Sequence, residues 1–95
     1  MAAYVIGDIE VTDPAVYDDY RKQVLATVTK YGGKFIVRGG KVEPLEGGWT
    51  PKRLVALEFP SMEQALQWYR SPEYAPLIQL RQKAARGRLL VVDGG

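Results

Sequence analysis

Alternating and continuous apolar segments divide the chain into four strands and two helical regions, in the order βαββαβ. Residues 3–11 alternate between apolar and polar positions along most of their length, which is typical of a strand. Strands are also predicted over 34–45, 52–59 and 88–93. Because 95 residues suit a single domain, all four strands are expected to form one sheet.

Start and stop signals place the helices between these strands. Asp13-Pro14 opens the first helix, since Asp caps free N–H groups and Pro suits the first helical turn, and Gly32-Gly33 ends it. Ser61 and Gln64 have capping-box spacing, which predicts a short helix to about Tyr69. Pro76 restarts a helix that should run to about Arg86 and stop at Gly87.

Two βαβ units in so short a chain predict a ferredoxin-like α+β fold. Short right-handed connections favour strand order 4-1-3-2, with both helices on one face and strands one and three parallel in the centre. We interpret Gly39-Gly40 as a bulge within the second strand, which then resumes through Leu45. Pro44 cannot donate to a ladder and therefore indicates that this strand lies at an edge.

The face of the sheet away from the helices is predicted to be too apolar to remain in water. Val5, Gly7, Ile9, Val55, Leu57, Phe59, Phe35 and Val37 form the natural helix-facing set. The other face then carries Tyr4, Ile6, Asp8, Ile36, Arg38, Leu54, Ala56, Glu58 and one Leu/Val pair of the last strand. A second copy laid sheet to sheet would cover it, so we expect a homodimer; the alternative is a wet, half-apolar sheet.

Composition excludes several classes of function. There is no Cys and no His, so a zinc, copper or haem site built from side chains is not expected, and no cofactor is predicted. A net charge of +2 and a third strand whose outer positions carry no aromatic ring argue against nucleic acid. We expect neither a signal peptide nor a membrane span, and the default location is cytoplasmic.

The chain resembles a bacterial family along nearly its whole length. The motifs that carry the resemblance are Val11-Thr12-Asp13-Pro14 with Tyr17 and Tyr20, Tyr31-Gly32-Gly33-Lys34-Phe35, Arg38-Gly39-Gly40, Leu45-Glu46-Gly47-Gly48-Trp49-Thr50-Pro51-Lys52-Arg53, Glu58-Phe59-Pro60-Ser61, Trp68-Tyr69-Arg70-Ser71-Pro72-Glu73-Tyr74 and Arg81. Together they resemble the family known as domain of unknown function 1330.

The resemblance implies the dimeric α+β barrel superfamily, in which two ferredoxin-like subunits face each other through their sheets. That superfamily includes cofactor-free monooxygenases, muconolactone isomerase-like enzymes and haem-binding relatives. The family itself has no established activity, so the resemblance supplies no catalytic residues, and kinship of fold does not transfer chemistry.

Asp8, Arg38 and Glu58 are the candidate catalytic residues, because they fall on one predicted sheet face with Glu58 between the other two. Two carboxylates beside a guanidinium can serve as general acid and base. The alternative is an ion-pair network in the dimer interface.

Aromatic residues and two arginines are the candidate ligand-binding residues: Arg38, Trp49, Trp68, Tyr74 and Arg81. Rings with a few convergent polar groups are what a small apolar pocket needs, although the same rings could simply pack the helix junction. The fork of Arg81 could bind a carboxylate, or it could lie on a solvated helix face.

Three classes of function therefore remain open. The first is a cofactor-free enzyme that acts on a small molecule. The second is a non-catalytic, ligand-binding dimer. The third is a structural or interaction module without a pocket.

Overall fold

Seven helices and strands account for most of the chain in the computed structural model, which describes all 95 residues. Their bounds are β1 Ala3–Val11, α1 Pro14–Lys30, β2 Lys34–Arg38, β3 Leu54–Phe59, α2 Met62–Tyr69, α3 Ala75–Ala84 and β4 Ala85–Asp93. The division of the second helical region into two pieces is confirmed. None of the three helices is both long and apolar enough to cross a membrane.

The four strands form one sheet in the order β2-β3-β1-β4, which confirms the predicted order and the ferredoxin-like fold. Every neighbouring pair is antiparallel, so the prediction that β1 and β3 run parallel is wrong. The α1 crossover makes β2 run in the same direction as β1. The chain then turns back into β3, which lies between them and therefore opposes both.

The second strand is shorter than predicted and its bulge lies elsewhere. β2 ends at Arg38, and residues 39–53 contain no strand. Gly39 has a φ of +76°, a left-handed conformation that turns the chain out of the strand. The register shift falls between Phe35 and Val37, so the bulge is at Ile36. β2 is indeed an edge strand, but Pro44 lies outside it.

The predicted N-caps of α1 and α2 are confirmed, but the Gln64 side chain does not complete the capping box and instead donates to the backbone oxygen of Tyr31. Asp13 Oδ1 accepts a hydrogen bond from Val16 N at 3.3 Å, and Ser61 Oγ accepts one from Gln64 N at 3.1 Å. Gly32 has a φ of +83° just beyond the end of α1. The predicted end of the last helix is two residues too late, because α3 stops at Ala84 and passes directly into β4.

The helices cover one face of the sheet, here called the inner face, and leave the opposite one, the open face, uncovered. The hydrophobic core lies between the helices and the inner face, where Val5, Ile9, Leu57 and Phe59 are all buried. On the helix side, Trp68 stacks on Tyr74 with ring centroids 4.1 Å apart.

A polar contact ties the end of α1 to the turn between α2 and α3. Glu73 accepts hydrogen bonds from Lys30 Nζ and from the Tyr31 hydroxyl, the latter at 2.7 Å. The hydrogen bond from Lys30, and then that from Tyr31, lowers the pKa of Glu73 to about 2 from its ordinary value of 4.5.

Replacing Glu73→Gln should reduce the acid sensitivity of the fold. Between pH 4.5 and about 2 the unfolded chain binds a proton that the folded protein excludes. The stabilisation is therefore complete above pH 4.5 and is lost as the pH falls towards 2. Urea unfolding from pH 6 to 2 should show a shallower loss of stability for the variant. Exposed Glu63→Gln is the control, and equal slopes for all three proteins would contradict the assignment.

Gly33→Ala should destabilise the protein. A methyl group there would lie 2.5 Å from a ring carbon of Phe59 and 2.8 Å from Val28, and both of those side chains are fully buried. Overpacking of this kind costs about 1–3 kcal/mol. Gly40→Ala is the control, because nothing lies within 4 Å of its Cβ position. The urea concentration at the midpoint of unfolding, measured at one protein concentration, compares the stability of the two variants. Equal midpoints for Gly33→Ala and Gly40→Ala would contradict the packing argument.

Candidate functional site

The two candidate carboxylates share the open face but lie far apart on it. Glu58 is opposite Tyr4, whereas Asp8 lies four residues further along β1, roughly 13 Å away at the usual rise of a strand. Each has its own partner: Glu58 pairs with Lys34 at 3.2 Å, and Asp8 with Arg88 at 3.3 Å. The two groups do not converge as an acid–base pair on one small substrate.

The predicted position of Arg38 on that same face is wrong. The bulge at Ile36 adds one residue, so that Arg38 pairs with Val55 on the inner face, while Val37 pairs with Ala56 on the open face. The guanidinium of Arg38 lies 4.4 Å from the centre of the Phe35 ring. Glu58 therefore does not lie between Asp8 and Arg38.

Trp68 and Tyr74 are core residues, each about 1% exposed. The Trp68 indole donates to Thr27 Oγ1 at 3.0 Å, and the hydroxyls of Tyr74 and Tyr20 share a hydrogen bond of 2.7 Å. Their packing between α1 and the α2–α3 junction matches the alternative left open by the sequence.

Trp49 lies on the opposite side of the sheet from Arg38 and Arg81. Its indole donates to Asp8 Oδ2 at 3.2 Å, which holds part of the 39–53 loop against the open face. The indole borders a shallow groove of about 430 Å³ whose lining is mainly apolar and includes Ile6 and Leu90. The five candidate ligand-binding residues therefore do not form one pocket.

Arg38 and Arg81 do come together, in a small pocket between the inner face and the helices α1 and α3. We call it the arginine pocket; its enclosed volume is about 40 Å³. Its polar side chains are Arg21, Arg38, Arg53, Arg81, Tyr17 and Tyr20. Its apolar side chains are Ile9, Val24, Phe35, Val55 and Leu89.

Four segments of the chain supply the polar side chains of this pocket, and β2 contributes Arg38. Tyr17, Tyr20 and Arg21 project from one side of α1, and Arg81 comes from α3. Arg53 directly precedes β3 and shares the inner face with Val55, two residues further on. Its guanidinium lies 5.7 Å from the centre of the Tyr17 ring, within range of a cation–π contact.

The electrostatics of the arginine pocket are unusual because four guanidinium groups meet without an acid. No Asp or Glu lines it, and none of its arginines takes part in an ion pair. Arg81 is only 7% exposed, and its Nε and that of Arg53 are buried without a hydrogen-bond partner. Buried polar groups are normally satisfied, so these two require an explanation.

The hydroxyls of Tyr20 and Tyr74 adjoin this charge but stay neutral. Burial is the main reason why the pKa of each phenol lies above its ordinary value, and the positive charge of Arg81 only partly offsets that rise. Neither phenol therefore supplies a negative charge to the pocket near neutral pH.

Sequence reasoning missed Tyr17, Tyr20, Arg21 and Arg53 as pocket residues. One signal for the site was present, because Leu77, Arg81 and Ala84 follow each other at spacings of four and three and are the buried residues of α3. An arginine within the apolar stripe of a helix indicates a charge that faces the interior.

Comparisons with known proteins agree with the fold. The family model described as "Domain of unknown function (DUF1330)" matches residues 2–95. No curated protein matches the chain at a significant level. A crystal structure of a protein of unknown function from Rhodopseudomonas palustris is similar, with 19% identity, a TM-score of 0.76, and coverage of 96% of this chain and 80% of that one.

Two further solved structures have assigned activities. SnoaB, a cofactor-independent oxygenase from Streptomyces nogalater, is 9% identical with a TM-score of 0.66, over 99% of this chain and 93% of its own. The crystal structure of an antibiotic biosynthesis monooxygenase is 10% identical, with a TM-score of 0.58, and the match covers 100% of this chain and 99% of that one. At these identities the similarity establishes the ferredoxin-like fold alone, and it carries no reaction over to this chain.

Proposed function

The chain belongs to the DUF1330 family, and we propose that it works as a homodimer in which each subunit binds a small molecule in its arginine pocket. One observation carries the ligand-binding half of the proposal: guanidinium groups and aromatic rings from four separate segments converge on one cavity. Concave sites that combine an apolar lining with a few polar groups are where small molecules bind.

The open face supports the homodimer. One row of side chains crosses all four strands and is wholly apolar, consisting of Val37, Ala56, Ile6 and Leu90. Leu90 is 58% exposed, Val92 in the neighbouring row is 43% exposed, and the Trp49 indole beside them is 56% exposed. A contiguous apolar patch of this kind marks an interface.

The charges on the open face do not oppose its burial. Lys34 pairs with Glu58 in the row on one side of the apolar row, and Arg88 pairs with Asp8 in the row on the other side. Each of these four charges thus has its counterion within the same subunit. A second copy can therefore cover these three rows without leaving a lone charge among them.

The dimer and the pocket use opposite sides of one sheet. The arginine pocket lies on the inner face, and the proposed interface is on the open face. Each subunit therefore has a complete pocket of its own, which remains accessible when the two open faces meet.

Leu90→Glu should produce a monomer, because it places an unpaired carboxylate in the apolar row, at the end that β4 contributes. Leu25→Glu is the matched control, since Leu25 is 47% exposed on α1, on the other side of the molecule. Size-exclusion chromatography with light scattering should give twice 10.6 kDa for the native protein and the control, and 10.6 kDa for Leu90→Glu. A native monomer, or a dimeric Leu90→Glu variant, would contradict the proposed interface.

Native mass spectrometry of the purified protein tests the bound molecule. The expected spectrum is a dimer with one or two equivalents of added mass that disappears on denaturation. Filling the pocket through Val55→Trp should abolish the added mass, whereas Leu25→Trp should retain it. Added mass that persists in Val55→Trp would place the ligand elsewhere and contradict the proposal.

A further inference from the structure

We infer that the arginine pocket binds the carboxylate group of an organic acid, with Arg81 as its buried anchor. The inference deepens the proposed function and rests on it, since it names the chemical class of the molecule that the pocket takes. It depends on the charge of the pocket, on its unpartnered polar atoms and on its shape.

The charge of the pocket requires an anion. A guanidinium remains protonated at any ordinary pH, so Arg81 and Arg53 bring two positive charges to the interior side of the pocket, and Arg21 and Arg38 add two at its exposed rim. No acidic side chain of the chain lines the cavity. The four ion pairs of the protein all lie elsewhere.

The geometry of Arg81 points to a ligand as its missing partner. Its side chain is more than nine-tenths buried, and its Nε has no hydrogen-bond partner. Burying an ionised group is costly when any of its hydrogen bonds is left unmade, and the cost falls when an anion accepts that hydrogen bond. Arg53 faces the same cavity with a second buried, unpartnered Nε.

A second subunit does not supply this anion in the proposed assembly. Its open face would meet the open face of the first subunit, on the far side of the sheet from Arg81. The neutral phenols of Tyr20 and Tyr74 do not supply it either. The negative charge must therefore come from a molecule that enters the pocket.

The size and lining of the pocket favour a carboxylate. A volume of about 40 Å³ accommodates a group of a few atoms and not a whole metabolite. The planar fork of a guanidinium matches the two oxygens of a carboxylate. Phe35 and Val24 line the same cavity, so an apolar chain attached to the carboxylate would find apolar contacts on its way to the rim.

Calorimetric titration with straight-chain acids from acetate to octanoate, and with their neutral amides, tests the inference. At constant ionic strength, at least one acid should bind at least about tenfold more tightly than its amide, which is the effect expected for hydrogen bonds to a buried charge. Arg81→Gln should weaken the binding of the acid by about the same factor and abolish the preference for the acid over its amide. Arg86→Gln is the control, because it loses the same charge from an exposed arginine outside the pocket.

Thermal unfolding provides a readout that does not depend on tight binding. The acid should raise the Tm of the native protein and of Arg86→Gln but not that of Arg81→Gln. In buffer whose sole anion is chloride, Arg81→Gln should unfold at or above the native Tm, because it removes a buried charge that has no counterion and whose Nε has no hydrogen-bond partner. A large loss of stability in Arg81→Gln under those conditions would show that Arg81 already has its partner, and would overturn the inference.

The remaining outcomes separate the inference from the proposed function. If amides bind as tightly as acids and Arg81→Gln changes neither, the pocket binds small molecules but not through an anion, and only the inference fails. If inorganic phosphate stabilises the protein and no acid does, the carboxylate assignment fails. If no acid or amide binds and no added mass is found in the native dimer, both fail.

Discussion

The absence of helices from one face of the sheet is the constraint on which the rest of the structure depends. Right-handed crossovers from β1 to β2 and from β3 to β4 place α1, α2 and α3 on the same side. On the other side, the 39–53 loop reaches the sheet through Trp49 but leaves Leu90 and Val92 exposed. The apolar row across the open face is the basis for the proposed dimer, and the inner face is where a single subunit has the arginine pocket.

The elements could be predicted from the sequence because their signals are local. Asp13, Pro14 and Gly32 mark the ends of α1 through hydrogen bonds and backbone angles that depend only on their neighbours. The strand order followed from handedness rules. The relative direction of β1 and β3 was predicted wrongly, because the hairpin that reverses β3 after β2 was not carried through to the central pair.

The register of β2 could not be predicted in the same way. Ile36 carries no sequence signal for a bulge, whereas the adjacent Gly39-Gly40 does, and Gly39 instead ends the strand. A slip of one residue exchanges the two faces of a strand. That slip places Arg38 on the inner face near Arg81, so Arg38 is absent from the predicted carboxylate site and lines the arginine pocket instead. The remaining pocket residues were missed because α1 and the segment before β3 meet only in the folded protein.

In the proposed dimer, the side of the sheet on which the two subunits meet determines both the interface and the accessibility of the pocket. Isotope-filtered NOE spectroscopy on a sample that mixes ¹³C-labelled and unlabelled protein measures it directly. If the subunits meet through their open faces, intersubunit NOEs should arise from the methyl groups of Ile6, Leu90 and Val92. Intersubunit NOEs confined to the methyl groups of Leu25 and Ile78 on the helices would contradict it.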